Sequence, residues 1–191
     1  MLKLKFSTPA DWLGCVEENF NSFLQDHASN ERKVAASSLK LAVQHPERVE
    51  LVGAMIGIAK EELEHFERVY FLLRERGLSL AQDAPDPYIG TLRKKISNPD
   101  MEAYLLDRLI IFGIIEARGC ERFGILAEGL RDPDLKAFYR ELSRSEAQHH
   151  AAYLRLARLY FEDERVYERQ AALLDLEAEV LGNLPLRPVL Y

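Results

Sequence analysis

The residues Glu62-Leu63-Glu64-His65 and Glu146-Ala147-Gln148-His149 are two copies of a Glu-x-x-His motif, and they decide the fold of this chain. A single glutamate, Glu31 or Glu116, lies about thirty residues upstream of each copy. At positions i and i+3 of a helix, the Glu and His side chains of each motif share one face. Four carboxylates and two imidazoles in this order are the ligands with which a four-helix bundle holds two metal ions.

Four segments carry apolar residues at the three- and four-residue spacing of an amphipathic helix. They run from Phe20 to Leu41, from Leu51 to Leu72, from Leu105 to Leu130 and from Leu135 to Tyr160. The candidate ligands fall on the apolar faces, where an unpaired carboxylate is costly or becomes protonated. No lysine or arginine shares these faces, so a pair of metal ions is the expected source of positive charge. The alternative is a bundle with buried Glu–His hydrogen bonds and no metal.

Turn signals predict how the helices connect. His45-Pro46 and Arg131-Asp132-Pro133-Asp134 are tight turns, and each predicts an antiparallel helical hairpin that places one Glu beside one Glu-x-x-His. The stretch between Gly77 and Asn98 is too long for a hairpin and predicts the long crossover of a ferritin-like bundle. Residues 161–181 predict one more helix. We therefore expect an all-α, ferritin-like four-helix bundle with a long crossover and an extra C-terminal helix.

The composition is that of one globular domain, and we expect a single ferritin-like domain over residues 1–191. Hydrophobic residues make up 48% and charged residues 29% of the chain. No apolar run approaches the ~20 residues that span a bilayer, so we expect no membrane association. Cys15 and Cys120 are the only cysteines and lie far apart, which favours free thiols and a cytoplasmic location.

The ligand chemistry indicates which metal and co-substrate to expect. In the predicted bundle, Glu62 and Glu146 would bridge two ions. The six expected ligands are Glu31, Glu62, His65, Glu116, Glu146 and His149. Oxygen-rich ligands with one imidazole per ion suit iron or manganese better than zinc. Open coordination positions would admit dioxygen. Beyond these ligands, the sequence assigns no catalytic or substrate-binding residue.

Several other side chains lie near the ligands in sequence. His27 precedes Glu31 by one helical turn, and either a core or ligand-orienting role or a substrate role fits it. His150 points away from His149, so we expect it at the surface or behind a ligand. Tyr153 fits core packing better than a redox role. Three glycines lie on the third helix and mark either a substrate space or close helix packing: Gly113, Gly119 and Gly124.

Longer stretches of the chain resemble one family. They are Thr8-Pro9-Ala10-Asp11-Trp12-Leu13, residues 26–33 (DHASNERK), residues 61–66 (EELEHF), residues 116–123 (EARGCERF) and residues 145–150 (SEAQHH). Together they resemble the bacterial tRNA hydroxylases that act on 2-methylthio-isopentenyl-adenosine next to the anticodon. The resemblance covers nearly the whole chain.

That resemblance implies a non-haem diiron monooxygenase with two iron ions as cofactor and dioxygen as co-substrate. It also implies a tRNA substrate and an external electron-transfer reductase as partners. Hydroxylation would fall on a terminal carbon of the isopentenyl group.

The charge of the chain is only weak evidence for or against an RNA partner. The formal net charge is −6, which argues weakly against nucleic acid. A compact basic run, Arg93-Lys94-Lys95, lies in the crossover. Further arginines lie on the fourth helix, namely Arg140, Arg144, Arg155 and Arg158. Either phosphate contacts or ordinary pairing with surface acids explains them.

Three other functions share the ligand pattern. A ferritin-like iron storage or detoxification protein would assemble into a large particle. A peroxidase of the rubrerythrin type usually carries paired Cys-x-x-Cys motifs, which this chain lacks. A manganese catalase would be separated by its metal content and peroxide turnover.

Overall fold

The computed structural model describes residues 2–96 and 99–191, and these residues form seven α-helices and no β-strand. In chain order the helices are α1 (Trp12–Glu18), α2 (Phe20–Gln44), α3 (Val49–Glu75), α4 (Pro87–Lys95), α5 (Met101–Gly129), α6 (Pro133–Tyr160) and α7 (Asp163–Gly182). The four long helices expected from the apolar spacing are α2, α3, α5 and α6. The expected extra C-terminal helix is α7.

The described residues group into two compact units. The first unit comprises residues 14–84 and 187–190. The second unit comprises the N-terminal segment through Leu13, residues 85–186 and Tyr191. The single domain expected over residues 1–191 stays a prediction.

The first unit is built on the antiparallel hairpin of α2 and α3. The two helices join at the turn expected from His45-Pro46, where the Arg48 N–H donates to the His45 carbonyl over 3.0 Å. Both helices bury apolar faces, represented by Phe23, Leu24, Leu41, Leu51, Met55 and Val69, each 0% exposed. Each such side chain contributes roughly 1.5–3 kcal/mol on burial. Packing therefore contributes more to these helices than helix propensity does.

The crossover begins where α3 is stopped by Gly77. This residue has φ of 67°, a left-handed conformation that glycine adopts without steric cost. The next N–H, of Leu78, donates back to the Leu73 carbonyl over 2.9 Å and closes the helix end. The chain then runs along α2, held by hydrogen bonds from Ser29 (3.0 Å) and Arg32 (2.6 Å) to the carboxylate of Asp83.

The crossover also contains a short helix, α4, which the sequence analysis did not predict. Asp86 caps it by accepting hydrogen bonds from the N–H groups of Tyr88 (2.8 Å) and Ile89 (3.1 Å). Pro87 stands at its first position, and its last turn carries the basic run Arg93-Lys94-Lys95. These features favour a helix between an acidic start and a basic end. The expected end of the crossover, Asn98, lies outside the described residues.

The second unit is built on the hairpin of α5 and α6. Asp100 caps α5 by accepting from the Glu102 N–H over 2.9 Å. Asp132 caps α6 in the same way, accepting from the Asp134 N–H over 2.8 Å, and it belongs to the expected turn. The third and fourth long helices therefore begin where side-chain caps satisfy their first N–H groups.

A buried ion pair fastens α7 to α5. Arg118 and Glu177 are both 0% exposed, and Nε of Arg118 donates to Oε1 of Glu177 over 3.0 Å while Nη2 donates to Oε2 over 3.1 Å. The Tyr88 hydroxyl donates to the same Oε1 over 3.1 Å, and burial raises the Tyr88 pKa far enough to keep that proton in place. Arg118 also donates to the Phe6 carbonyl over 2.6 Å. The Arg118 guanidinium on α5 thus connects this helix to α7 and to the N-terminal segment.

The remaining expectations concern thiols and membranes. Cys15 and Cys120 are free thiols, as expected, and Cys120 is buried. Among the described residues, no helix combines the length and apolar character needed to cross a bilayer.

Candidate metal centre

Three expected ligands meet inside the first unit. Glu31 comes from α2, Glu62 and His65 come from α3, and one ligand atom of each lies within 4.8 Å of the others. Nδ1 of His65 lies 3.6 Å from Oε2 of Glu62 and 3.9 Å from Oε2 of Glu31. All three side chains are buried. The hairpin therefore places Glu31 beside the Glu-x-x-His motif of α3, as the turn at His45-Pro46 predicts.

The other three expected ligands meet inside the second unit. Glu116 comes from α5, Glu146 and His149 come from α6, and their ligand atoms also lie within 4.8 Å of one another. Nδ1 of His149 lies 3.7 Å from Oε2 of Glu146. These side chains are 2–3% exposed, so water has little access to them. Each hairpin thus carries one Glu/Glu/His cluster.

The geometry of both clusters suits a metal ion. The Glu–His separations of 3.6–3.9 Å exceed a normal hydrogen bond. Two atoms bound to one ion at ~2.0–2.2 Å each can lie up to about 4 Å apart, which matches these separations. Buried carboxylates also require positive charge close by. Each cluster could therefore hold a metal, whereas the sharing of two ions between the clusters stays a prediction.

His27 orients one of the expected ligands. Its ring is 0% exposed, and its Nε2 lies 2.6 Å from Oε1 of Glu31. Burial, together with nearby His65, lowers the pKa of His27 to about 3. The imidazole is therefore neutral at pH 7 and donates its Nε2–H to the carboxylate. Of the two roles that the sequence left open for His27, the ligand-orienting one matches this contact.

The α5 glycines lie against α6, as close helix packing requires. A Cβ at Gly113 would lie 3.4 Å from Cβ of Tyr153, and one at Gly124 would lie 3.7 Å from Oγ of Ser143. A Cβ at Gly119 would lie 3.2 Å from the Tyr191 hydroxyl and 3.6 Å from Cγ of Glu146. Sequence reasoning missed Tyr191, because no periodicity in the chain links it to α5.

Two neighbours of His149 on α6 are buried. His150 is 5% exposed, and its Nδ1 lies 2.6 Å from the Gly113 carbonyl, to which it donates. A surface position for His150 was therefore wrong, whereas a place behind the ligands fits. Tyr153 is 1% exposed and meets the Phe112 ring edge-on at 5.6 Å, which agrees with the expected core packing.

Two of the α6 arginines pair with acids at the surface. Arg140 donates to Oε1 of Glu128 over 3.1 Å. Nε of Arg158 lies 3.9 Å from Oδ1 of Asp163, and the Arg158 guanidinium covers the Tyr167 ring. Ordinary surface pairing therefore accounts for these two residues.

The fold and the two clusters define a class of protein: an all-α, ferritin-like bundle with buried carboxylate and imidazole groups that could bind metal. The structure is very similar to a solved structure, that of "Protein 43 with aldehyde deformylating oxygenase activity" from Synechococcus. The TM-score is 0.93, the sequence identity is 31%, and the match covers 100% of this chain and 96% of that one. The predicted fold class is confirmed.

Residues 2–189 match the family described as tRNA-(MS[2]IO[6]A)-hydroxylase (MiaE), and the chain belongs to this family. The tRNA 2-(methylsulfanyl)-N(6)-isopentenyladenosine(37) hydroxylase of Pseudomonas putida is 35% identical over 153 residues, covering 80% of this chain and 74% of that protein. The protein of the same name from Salmonella typhimurium is 39% identical over 108 residues, covering 56% of this chain and 39% of the relative. The resemblance seen in the sequence is confirmed.

Proposed function

We propose that this protein hydroxylates the isopentenyl group of 2-methylthio-isopentenyl-adenosine, next to the anticodon of tRNA, as a cytoplasmic non-haem diiron monooxygenase. The observation that carries the proposal is the family match over residues 2–189, which includes all six candidate ligands. In the overall reaction, one oxygen atom of dioxygen enters a terminal C–H bond of the isopentenyl group. The other oxygen atom becomes water, with two electrons and two protons supplied through an external reductase.

Two iron ions would be held by the clusters of both hairpins. The proposed ligands are Glu31, Glu62, His65, Glu116, Glu146 and His149. When bound, the iron pair supplies dioxygen activation, and its preference for carboxylate and imidazole donors fits this set. Among them, Glu62 and Glu146 are the glutamates of the two Glu-x-x-His motifs.

The chain's own residues prepare the site in three ways. Burial strengthens every electrostatic interaction of the carboxylates, because little water competes. The neutral His27 fixes one oxygen of Glu31 and leaves the other directed to the side of His65. The helix backbone sets the spacing between the Glu and the His of each Glu-x-x-His motif, so these side chains need little reorganisation to bind a metal.

The RNA must present its modified base to buried residues. A base inside a stacked loop has to leave the stack before its prenyl group can reach such a site. Phosphate contacts would then hold the loop, and the exposed run Arg93-Lys94-Lys95 is a candidate for them. Binding through these side chains should weaken steeply as salt increases.

The test is a single turnover on prenylated tRNA. The protein is loaded with ferrous iron, reduced chemically and exposed to dioxygen, and the digested nucleosides are read by mass spectrometry. A gain of one oxygen atom on 2-methylthio-isopentenyl-adenosine is expected. The substrate control is a tRNA with unmodified adenosine at this position, and its nucleosides should gain no oxygen atom.

A second candidate function comes from the Synechococcus protein, which is described as having aldehyde deformylating oxygenase activity and whose structure matches all of this chain. An aldehyde should therefore be supplied to the same reduced, iron-loaded protein. Loss of the formyl carbon from the aldehyde, without oxidation of the tRNA, would overturn the hydroxylase proposal in favour of this activity. Iron oxidation with neither product would favour the storage or peroxidase alternatives.

A further inference from the structure

The hydroxyl of Tyr191 lies beside Gly119 of α5, where the helix carries no side chain. Gly119 follows Glu116 by three residues, so both lie on the same side of the helix. A Cβ built on Gly119 would lie 3.2 Å from the Tyr191 hydroxyl and 3.8 Å from the carboxyl carbon of Glu146. The phenol and the carboxyl group of Glu146 therefore line the same small space.

The ring of Tyr191 is held in place by a second tyrosine. It stacks on Tyr88 with 5.9 Å between ring centroids and 11° between planes. Tyr88 is 0% exposed and donates to Glu177, which is itself fixed by Arg118. The position of the Tyr191 hydroxyl thus depends on buried groups, and only 5% of the residue is exposed.

From this geometry we propose that Tyr191 is a positioning residue for the metal-binding carboxylate of Glu146. Its hydroxyl limits the orientations of that carboxylate from the Gly119 side. A methyl group at position 119 would lie 3.2 Å from the hydroxyl, so the hydroxyl would have to move by a few tenths of an ångström. The inference rests on the proposed function, since it assumes that Glu146 binds metal.

The first test measures metal binding without turnover. Co²⁺ is titrated anaerobically into the wild-type protein and into Tyr191→Phe, which keeps the ring and removes the hydroxyl. Removing a side chain that orients a metal ligand typically changes metal affinity about 10–100-fold. We therefore expect the Co²⁺ affinity of Tyr191→Phe to fall at least about tenfold. The visible absorption of bound Co²⁺ should also shift, whereas a purely structural role would lower the melting temperature and leave that spectrum unchanged.

A pair of glycine variants makes the test specific. Gly119→Ala should weaken Co²⁺ binding about as much as Tyr191→Phe, because the added methyl group displaces the same hydroxyl. Gly124→Ala is the matched control on the same helix, where the Cβ would meet only Ser143 at 3.7 Å and binding should be unchanged. The double variant Gly119→Ala/Tyr191→Phe should bind no more weakly than either single variant, since both remove one interaction.

The other possible outcomes would overturn the role inferred for Tyr191, and one of them would also overturn the proposed function. Wild-type affinity and spectrum in Tyr191→Phe would overturn the inference while leaving the proposed function standing. A loss in Gly119→Ala without one in Tyr191→Phe would do the same, because the glycine would then act without the phenol. A wild-type protein that binds no Co²⁺ would overturn both proposals together.

Discussion

The Nε2–H of His27 donates to Oε1 of Glu31 over 2.6 Å, one turn away on the same buried face of α2. Burial is the main reason that the pKa of His27 falls to about 3, so the ring stays neutral and keeps the proton that it donates. A neutral donor leaves the negative charge of Glu31 available to a cation. The contact therefore prepares a ligand without neutralising it.

Removing this donor should weaken metal binding. His27→Ala leaves one oxygen of Glu31 without its orienting hydrogen bond, and we expect Fe²⁺ affinity to fall about 10–100-fold. His27→Gln is the matched variant, because its amide can donate to the same oxygen and should restore most of the affinity. Anaerobic equilibrium dialysis with iron measures both. Equal affinity in wild type and His27→Ala would rule out an orienting role.

Loss of the proposed metal ligand Glu146 should abolish activity. Glu146→Ala removes a ligand from the buried cluster on α6, so we expect hydroxylation to fall at least about 100-fold with greatly reduced iron content, while the helical circular dichroism persists. Glu141→Ala is the control, because this exposed glutamate lies on the same helix. Full iron occupancy and activity in Glu146→Ala would contradict the assignment of this ligand.

Metal removal should lower thermal stability. The unloaded protein retains buried carboxylates that repel one another, whereas bound Fe²⁺ compensates their charge. At a free metal concentration one hundred times Kd, the stabilisation would be about 2.7 kcal/mol. Scanning calorimetry with Fe²⁺ and with a chelator measures the difference in Tm. A Tm that is the same in both would speak against a buried metal.

Breaking the ion pair between α5 and α7 should be costly. Arg118→Met leaves Glu177 buried without its guanidinium partner, and we expect a loss of about 3–5 kcal/mol in the free energy of unfolding. Arg118→Met/Glu177→Leu removes both charges and should recover a large part of that loss. Urea denaturation followed by circular dichroism gives both values. An equal or larger loss in the double variant would show that packing and the hydrogen bonds to Phe6 and Tyr88, rather than the charge pair, dominate here.

The crossover should loosen when Asp83 loses its charge. The hydrogen bond from Arg32 is the main reason that the pKa of Asp83 is lowered, so the carboxylate is ionised at pH 7. Asp83→Asn weakens that contact, and we expect faster proteolysis between residues 78 and 86. Asp175→Asn, which alters the exposed pair with Lys5, is the control and should leave that segment's cleavage rate unchanged. Cleavage sites are located by mass spectrometry of the fragments.

Sequence patterns could predict what helical periodicity and motif spacing determine. The long helices, the tight turns and the grouping of Glu31 with Glu62 and His65 all follow from residues that recur at fixed intervals. The short helix α4 was missed although its signals are local: Asp86 as cap and Pro87 at the first position. With only 9 residues, α4 is too short to show the repeated apolar spacing that reveals the long helices.

Other features could not be predicted because they join distant residues without a repeating pattern. Nothing in the order of residues pairs Arg118 with Glu177, or Tyr191 with Gly119. The role of His27 was undecided for a related reason. Its spacing to Glu31 was visible, but the direction of its ring depends on how the surrounding core packs.

The ion pair between Arg118 and Glu177 also affects how the protein is made. The two residues are 59 positions apart, so a ribosome adding about 5–20 residues per second needs several seconds between them. During that interval the helix carrying Glu116 holds a guanidinium whose final partner has not been synthesised. We expect the nascent chain to reach its native packing only after α7 emerges.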